Sequence, residues 1–339
     1  MSSSALAGSD GGSERTRPVE KIRPTAVAIL GPTATGKSAL ALALAKAWRG
    51  EIINCDSTAV YRGFDIGTDK VPEAERGGIP HHLIDIADPT SEYTAARYAH
   101  DAAAAIRDIH GRGALPFIVG GTGFYYRALT RGLFPGPGKD EALRRRLDAI
   151  AGRRGVGFVH RMLERIDPAS ASRIEPRDLK RMVRALEVFF LTGRPLTAHF
   201  ADTQSLIPDI DVLAFALRIP ADQIAARVTH RVDQQFARGL LEEVQVLLAA
   251  GIPSTARPFG GLVYRQVLEH LDGVRDETAT RARIVQENRQ YARRQLIWFR
   301  KEPNLVWLDG PGESPETLAA ASDFLARAIP LHQSHRHRA

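Results

Sequence analysis

Short apolar runs alternate with longer runs of helical pattern along most of the chain. The apolar runs have the length of buried strands and occupy residues 25–30, 51–57, 81–86, 115–121, 211–219 and 304–310. Runs with the composition or spacing of helices occupy residues 38–48, 94–110, 221–250 and 277–301. Strands that alternate with helices predict an α/β fold with a mostly parallel sheet flanked by helices.

The middle of the chain breaks this alternation. A Pro/Gly-rich linker, FPGPGKD, fills residues 134–140, and residues 141–200 combine helical patterning with many arginines and little strand pattern. We interpret this part as an all-helical domain inserted into the α/β domain. The predicted division is a disordered leader (1–22), a catalytic domain (23–135 and 206–315), the helical insertion (136–205), and a C-terminal helix with a polar tail (316–339).

Charge and composition bear on the possible partners and the cellular compartment of the protein. The net charge of +7 is compatible with a polyanionic partner but does not by itself establish one. A single cysteine, Cys55, excludes an internal disulfide and fits a reducing compartment. The polar leader lacks the apolar core of a signal peptide, and no apolar run is long enough to span a membrane, so we expect a cytoplasmic protein. The histidines near the C-terminus are typical of a solvated or tag-like tail rather than a zinc site.

A phosphate-binding motif follows the first predicted strand. Residues 31–38, GPTATGKS, match GxxxxGK[ST], and a predicted helix comes directly after them. Glycines let backbone N–H groups turn toward phosphate oxygens, the helix adds its positive end, and Lys37 adds a charge. Ser38 is placed to bind Mg²⁺. The fold is therefore predicted to be of P-loop type, although the motif does not identify the phosphate compound.

Two further strand ends carry candidate chemistry. Asp56 follows the second strand, and ligands of doubly wound sheets bind at the carboxyl ends of strands. A carboxylate there suits a general base or a Mg²⁺ ligand, but it equally suits a helix cap. Cys55 fits a buried strand residue better than a nucleophile. Gly120, Gly121 and Thr122 end another strand, where the hydroxyl can serve a ligand, a helix cap, or both.

The ordered set of motifs resembles the bacterial tRNA dimethylallyltransferases, also called isopentenyl-diphosphate:tRNA transferases. The motifs are GPTATGKS (31–38), DSTAVYRGFDIGT (56–68), PHHLIDIADP (80–89), VGGTGFY (119–125), RALEVFFLTGRPLT (184–197), RVTHRVDQQFARGLLEEV (227–244) and RQYARRQLIWFRK (289–301). The resemblance covers residues 25–309. No single motif is diagnostic, whereas the ordered set is specific.

The resemblance implies a reaction and its site. The family transfers the dimethylallyl group from dimethylallyl diphosphate to the exocyclic amine of adenosine 37 in tRNA, beside the anticodon. Asp56 then matches the general base, Thr122 a hydrogen-bonding residue of the site, and Arg231 a catalytic arginine, with Mg²⁺ on Ser38 as the cofactor. The diphosphate-binding residues implied are Gly31, Pro32, Thr33, Ala34, Thr35, Gly36, Lys37, Ser38 and Arg227. Without the resemblance, Arg227 and Arg231 would be interpreted as a solvated basic face.

The resemblance also implies contacts with the tRNA anticodon stem-loop. Recognition of loop bases generally uses arginines and aromatic stacking, and the target base must leave its stack. The matching residues are Asp56, Ser57, Thr58, Ala59, Arg144, Lys180, Arg181, Met182, Val183, Arg184, Tyr264, Arg265, Arg289, Arg293 and Arg294. One departure is Val263, which stands where the family usually has glycine. We expect a monomer.

Three alternatives remain at the level of sequence. A P-loop small-molecule or nucleotide kinase would use the cradle and Mg²⁺, but it leaves the basic helices and residues 56–68 without a role. A relative that prenylates free adenine nucleotides would not need a large basic insertion. A nucleic-acid-binding protein without turnover would not need intact Lys37, Ser38 and Asp56.

Overall fold

The α/β prediction is confirmed by a computed structural model that describes residues 23–329. Its sheet has six parallel strands in the order β3-β2-β4-β1-β5-β6. The strands are β1 (Thr25–Leu30), β2 (Gly50–Asn54), β3 (His81–His82), β4 (Leu115–Gly120), β5 (Asp211–Arg218) and β6 (Leu305–Asp309). Residues 1–22 and 330–339, which include the predicted leader and the histidine-rich tail, lie outside the described residues.

Two predicted strands are shorter than the apolar runs that suggested them. The second ends at Asn54, so Cys55, Asp56 and Ser57 already belong to the loop. The third was expected over residues 81–86 but pairs only at two positions, because Leu83 and Asp85 take positive φ angles of 61° and 57°. That left-handed geometry is incompatible with an extended strand.

Thirteen α helices occur in the described part of the chain. They are α1 (Lys37–Ala47), α2 (Ala95–Gly111), α3 (Gly123–Arg131), α4 (Glu141–Arg154), α5 (Val156–Ile166), α6 (Pro168–Ala171), α7 (Leu179–Thr192), α8 (Leu196–His199), α9 (Ala221–Ala237), α10 (Leu240–Ala249), α11 (Leu262–Leu271), α12 (Glu277–Phe299) and α13 (Pro315–Ala328). The helix predicted over 221–250 is two helices, because Gly239 between them is left-handed (φ 91°).

The sheet is covered on both faces, which explains why its strands are apolar at every position. In β1, Ala28 and Leu30 pack with α2, α3 and the helices after β5, whereas Val27 and Ile29 pack with α1 and α13. A strand buried on two faces shows no alternation of polar and apolar residues. This layering leaves the carboxyl ends of the strands as the open edge where a site can form.

The helical insertion has a hydrophobic core of its own. Helices α4, α5 and α7 enclose a cluster that includes Leu147, Leu163 and Leu186. The two connections to the main body run side by side, because a side chain at Gly132 would collide with the backbone of Gln204. The helices therefore leave the body and return to it at one place.

Candidate functional site

The phosphate cradle adopts a tight loop between β1 and α1. Gly31 and Gly36 have φ angles of 139° and 86°, and Ala34 is also left-handed at 64°. Gly36 has a second constraint, since an added Cβ would lie 2.7 Å from the backbone nitrogen of Gly312. The Thr35 hydroxyl donates to the carbonyl of Pro32 at 2.9 Å. The loop is thus closed internally, and its last residues start α1 with their N–H groups unpaired within the helix.

Two arginines of α9 reach the cradle from the side. Arg227 donates through Nε to the carbonyl of Ala34 at 2.7 Å, and Arg231 donates to the hydroxyl of Thr33 at 2.8 Å. Both residues stand four apart on one helix face, as the sequence analysis noted. The structure therefore brings both of these arginines to the loop that is predicted to bind diphosphate.

Acidic partners hold these arginines in place. Arg231 contacts Asp69 with an N–O distance of 3.1 Å, and Arg227 contacts Glu313 at 2.5 Å. Neither carboxylate was singled out from the sequence, because residues 69 and 313 are far from position 230 along the chain. Folding alone places them beside α9.

Lys37 is half-buried at the start of α1, and its ammonium group donates to the Pro32 carbonyl at 2.5 Å. Burial and, to a smaller extent, the neighbouring Arg231 lower the pKa of this lysine to about 7, although Asp56 and Asp69 act in the opposite direction. An anion bound in the cradle would favour the charged form. The site thus concentrates positive charge at the place where a diphosphate leaving group needs it.

Asp56 is fixed by a turn of its own loop rather than by a helix. Its Oδ1 accepts from the N–H groups of Thr58 at 2.8 Å and Ala59 at 3.3 Å, and an α helix does not follow directly. Asn54 holds the same loop by accepting from the Asp56 N–H at 3.1 Å. No hydrogen bond reaches Asp56 Oδ2 from any described residue. One carboxylate oxygen is therefore anchored, and the other is free to take a proton.

Thr122 connects the end of β4 to the Asp56 loop. Its hydroxyl accepts from the N–H of Ser57 at 3.1 Å, and its own N–H donates to the carbonyl of Cys55 at 3.1 Å. The thiol of Cys55 is fully buried, and burial raises its pKa to about 12. The structure thus agrees with a structural role for Cys55. Thr122 contacts Ser57, which is the residue next to the candidate base Asp56.

Two residues of α12 that the sequence analysis did not select complete the site. Gln295 accepts from the N–H of Thr33 at 2.9 Å and donates to the carbonyl of Gly121 at 2.8 Å. Tyr291, four residues earlier and on the same helix face, lies near Asp56 and Thr122, and its burial raises the pKa of its phenol. Both lie in the motif of residues 289–301, in which only the arginines were predicted to have a functional role.

These groups surround one cavity of about 320 Å³ at the carboxyl edge of the sheet. Its lining includes Lys37, Ser38, Asp56, Asp69, Arg231, Tyr291 and Gln295. A larger groove of about 860 Å³ lies elsewhere, between α9 and another face of α12, and its lining includes Arg289 and Arg293. We assign the chemistry to the smaller cavity, because it alone of the two joins the cradle to a carboxylate.

The cavity offers two side chains whose oxygens could bind a Mg²⁺ ion. Ser38 is exposed at the start of α1 and shares the cavity with Asp56. Magnesium keeps several waters and needs only one or two protein oxygens beside substrate phosphates. Within residues 23–329, His, Cys, Asp and Glu form no cluster of three that would hold a metal on its own.

The insertion residues predicted to contact tRNA fall into two groups. Lys180 and Arg181 are exposed at the start of α7. Met182 and Val183 are 0% and 5% exposed, so their side chains lie in the core of the insertion, and their contact with tRNA stays a prediction. Helical spacing is the reason for this burial, since a continuous run of residues in a helix cannot all face one side.

Arg144 and Arg184, also predicted to contact tRNA, bind a buried carboxylate of the insertion. Arg144 contacts the two oxygens of Glu187 at 2.7 and 2.8 Å, and Arg184 contacts it at 2.6 Å. Arg184 also donates to the carbonyl of Pro137 in the linker. Their first role in this structure is therefore to hold α4, α7 and the linker together.

The candidates in α11 and α12 also differ in accessibility. Tyr264 is 1% exposed, and its hydroxyl donates to Glu243 at 2.6 Å, so its side chain faces the core and its contact with tRNA stays a prediction. Arg265 is paired with Glu287 at 2.7 Å. Val263 packs in the same core without disturbing the helix. Exposed positions on α12 are Arg289, Arg293 and Arg294.

Exposure also varies at the end of α12 and in the loop after β2. Ile297 is 45% exposed, whereas Phe299 is fully buried. In the loop after β2, Ser57 and Thr58 are half-buried, and Ala59 is buried while still lining the cavity. A search of residues 23–329 finds no helix long and apolar enough to cross a membrane.

Comparison with known proteins gives a consistent result. The sequence model described as IPP transferase matches residues 59–302. The chain is 45% identical to a tRNA dimethylallyltransferase of Solibacter usitatus over 303 residues, covering 89% of this chain and 98% of that protein. It is 44% identical to the enzyme of the same name from Geobacter metallireducens over 305 residues, covering 90% and 99%.

Solved structures agree with the sequence comparison. A tRNA isopentenylpyrophosphate transferase of Bacillus halodurans is similar with a TM-score of 0.68 and 35% identity, covering 92% of this chain and 98% of that one. A eukaryotic dimethylallyltransferase acting on tRNA is similar with a TM-score of 0.72 and 28% identity, covering 90% and 78%.

Proposed function

The chain belongs to the IPP transferase family of tRNA dimethylallyltransferases, and we propose that the cavity between Lys37 and Asp56 performs the prenyl transfer. The donor is dimethylallyl diphosphate, and the acceptor is the exocyclic amine of adenosine 37 in tRNA, giving isopentenyladenosine. The observation that carries this proposal is the presence of a phosphate cradle, two arginines and an anchored carboxylate around one cavity. A kinase needs the cradle but has no evident use for the base and the adjoining basic helices.

The cradle stabilises the leaving group. As the allylic C–O bond breaks, its electron pair goes to pyrophosphate, which gains negative charge. Lys37, Arg231 and the N–H groups at the start of α1 are all positioned to face that charge. Ser38 would hold Mg²⁺, which would neutralise part of the diphosphate charge. Interactions that strengthen as charge develops lower the barrier rather than only improving binding.

Asp56 accepts the proton. The adenine amine is a poor nucleophile because its lone pair is delocalised into the ring. As the new C–N bond forms at the allylic carbon, the amine becomes acidic, and one N–H proton passes to a carboxylate oxygen. The turn that anchors Oδ1 keeps Oδ2 available for this step. Atoms balance, because the products are prenylated tRNA, pyrophosphate and a proton.

RNA must present an unstacked base to this cavity. Exposed Arg294 is a candidate for a phosphate contact, because its guanidinium carbon lies 5.8 Å from the ring centre of Tyr291, which lines the cavity. Lys180 and Arg181 of the insertion provide a second exposed basic position. These contacts, and action as a monomer, are part of the proposal.

The test is transfer of label from dimethylallyl diphosphate to unmodified tRNA that carries adenosine at position 37, with Mg²⁺ present. Asp56→Asn keeps the anchoring oxygen but loses the base, so we expect kcat to fall by about 10² to 10⁴. Asp88→Asn is the matched control, because Asp88 makes a similar turn with Thr90 outside the cavity. Absence of transfer by the parent protein, together with turnover of labelled ATP, would reject the proposal in favour of a kinase.

A further inference from the structure

We infer that Gln295 is a positioning residue for the transfer, and that its side-chain amide sets the spacing between the diphosphate cradle and the loop of Gly121 and Thr122, which contacts the loop of Asp56. The inference rests on the proposed function. Gln295 lies in α12, is 6% exposed, and bonds with both of its amide atoms. Among the described residues, no other side chain forms hydrogen bonds to both the cradle and the loop of Gly121 and Thr122.

The two loops follow neighbouring strands. β1 leads into the cradle and β4 leads into the loop of Thr122, and these strands pair directly in the sheet. The amide oxygen of Gln295 accepts from the N–H of Thr33 at 2.9 Å, and its amide nitrogen donates to the carbonyl of Gly121 at 2.8 Å. Each bond connects α12 to one half of the cavity.

Each end of this connection continues to a reacting group. The hydroxyl of Thr33 accepts from Arg231, which faces the leaving group. Gly121 precedes Thr122, whose hydroxyl accepts from the N–H beside Asp56. A shift of Gln295 would therefore change the distance between the electrophile and the base. A misplacement of about 1 Å can lower the rate of a two-substrate reaction by about 10²-fold.

The connection has a strict chemical requirement. It needs an acceptor toward Thr33 and a donor toward Gly121, which is the arrangement of a carboxamide. Gly121 leaves room for it, because a Cβ at that position would lie 2.3 Å from the amide nitrogen of Gln295. An ionised carboxylate would keep the acceptor but would turn a second acceptor toward a carbonyl oxygen. A protonated carboxylic acid would restore both bonds.

Gln295→Glu tests this requirement through pH. Burial and the facing carbonyl should raise the pKa of the introduced carboxyl. We expect the ratio of the variant kcat to the parent kcat to increase as pH falls, by up to about tenfold per pH unit above that pKa, because the protonated fraction changes by that factor. Gln295→Met keeps the volume without either bond, so its ratio should stay low, at about a tenth or less, and independent of pH.

Gln266 provides matched controls, since it is a glutamine of α11 that is 2% exposed and outside the cavity lining. Thermal unfolding of Gln266→Glu and Gln266→Met measures how much stability is lost when a buried glutamine is replaced in these two ways. The ratios of variant kcat to parent kcat for these controls should not vary with pH. The dissociation constant for tRNA should stay within about twofold in the Gln295 variants, while kcat falls.

A pH-independent ratio for Gln295→Glu, equal to that of Gln295→Met, would overturn the inference. So would loss of activity only in proportion to the loss of folded protein. Failure of the parent protein to transfer label is a different outcome, because it rejects the proposed function rather than the role of Gln295.

Discussion

Lys37 shows how the surroundings of a motif residue change its chemistry. The motif predicts a positive charge at this position, but burial and Arg231 lower the pKa of the ammonium group to about 7. The lysine is thus only partly protonated at neutral pH until an anion binds. The motif alone specifies which residue contacts phosphate, and the neighbours decide when that residue is charged.

We predict that binding of dimethylallyl diphosphate becomes weaker as pH rises above about 7, because the free site then loses the Lys37 proton. Below that pH the lysine is charged before and after binding, so its effect on affinity is constant. Above it, binding must take up a proton, and affinity falls by up to about tenfold per pH unit. Calorimetry in buffers of different ionisation enthalpy would measure the uptake.

Lys37→Arg is the control for this prediction, since an arginine keeps its charge across this range. Its affinity should show no pH dependence of this origin, apart from the titration of the diphosphate itself. Equal proton uptake by the parent and the variant would assign the pH dependence to another group.

At the scale of elements, the helices of the insertion are joined by the buried carboxylate of Glu187. Burial alone would raise the pKa of this carboxyl, but hydrogen bonds from Arg144, Arg184 and the N–H of Asp140 outweigh it and lower the pKa to about 2. A depressed pKa means that the folded state favours the ionised form. The stability that results is present above about pH 4.5 and is lost as pH falls toward 2.

We predict that Glu187→Gln makes the stability of the insertion less dependent on pH in this acidic range. The pKa shift corresponds to about 3 kcal/mol at most. Hydrogen exchange of α4, α5 and α7 at pH 3 and pH 6 would measure the change in the parent and the variant. Asp202→Asn removes an exposed pair with Arg194 and should change the result by less than about 1 kcal/mol. A parent whose protection is the same at both pH values would contradict this role.

The start of α7 carries a second prediction at this scale. Lys180 and Arg181 are exposed, whereas the next two residues are buried, so only the first two can meet RNA phosphates through their side chains. The double variant Lys180→Ala/Arg181→Ala should bind tRNA more weakly. The slope of log affinity against log salt should fall by about one for each lost phosphate contact.

The matched control is Lys46→Ala/Arg327→Ala, on helices α1 and α13 across the sheet. It removes the same charge from exposed positions away from the proposed RNA surface. If both double variants lower the salt slope equally, net charge rather than a local contact explains the effect.

At the scale of the whole molecule, the insertion is separable in its packing. Helices α4, α5 and α7 share one hydrophobic core, and the chain leaves and re-enters the body where Gly132 meets Gln204. The cradle, Asp56, Thr122, Gln295 and Arg231 all lie outside it. The residues proposed to bind diphosphate and the insertion residues proposed to bind RNA therefore lie in different parts of the fold.

Replacement of residues 136–203 by a short Gly/Ser linker should leave a folded body that still binds pyrophosphate, because the ends to be joined are already adjacent. Its affinity for tRNA should fall by at least about tenfold, since the contacts of α7 are lost. Calorimetry with pyrophosphate and filter binding with tRNA would measure the two effects. Unchanged affinity for tRNA would show that the insertion takes no part in RNA binding.

Local sequence patterns were sufficient to predict the elements whose causes are local. Residues 25–30 form a strand because they are apolar throughout, and residues 31–38 form a cradle because glycine positions and the helix start are specified within the motif. The order of strands and helices was sufficient for the α/β class. Asp56 and Thr122 were selected by their places at strand ends, whereas Arg227 and Arg231 were selected through the family resemblance. The structure brings Asp56 and Arg231 to the cavity, Arg227 to the cradle, and Thr122 to the loop of Asp56.

The contacts between these residues form only when distant segments pack together. Gln295, Asp69 and Glu313 act on partners that are distant in sequence, and a pattern within a single segment contains no information about such pairs. Burial also depends on packing between distant segments. The sequence therefore did not show that the side chains of Met182, Val183 and Tyr264 are buried. Local interactions specify where helices and strands form, whereas contacts between distant segments specify the site, because those contacts exist only after the sheet and its helices have assembled.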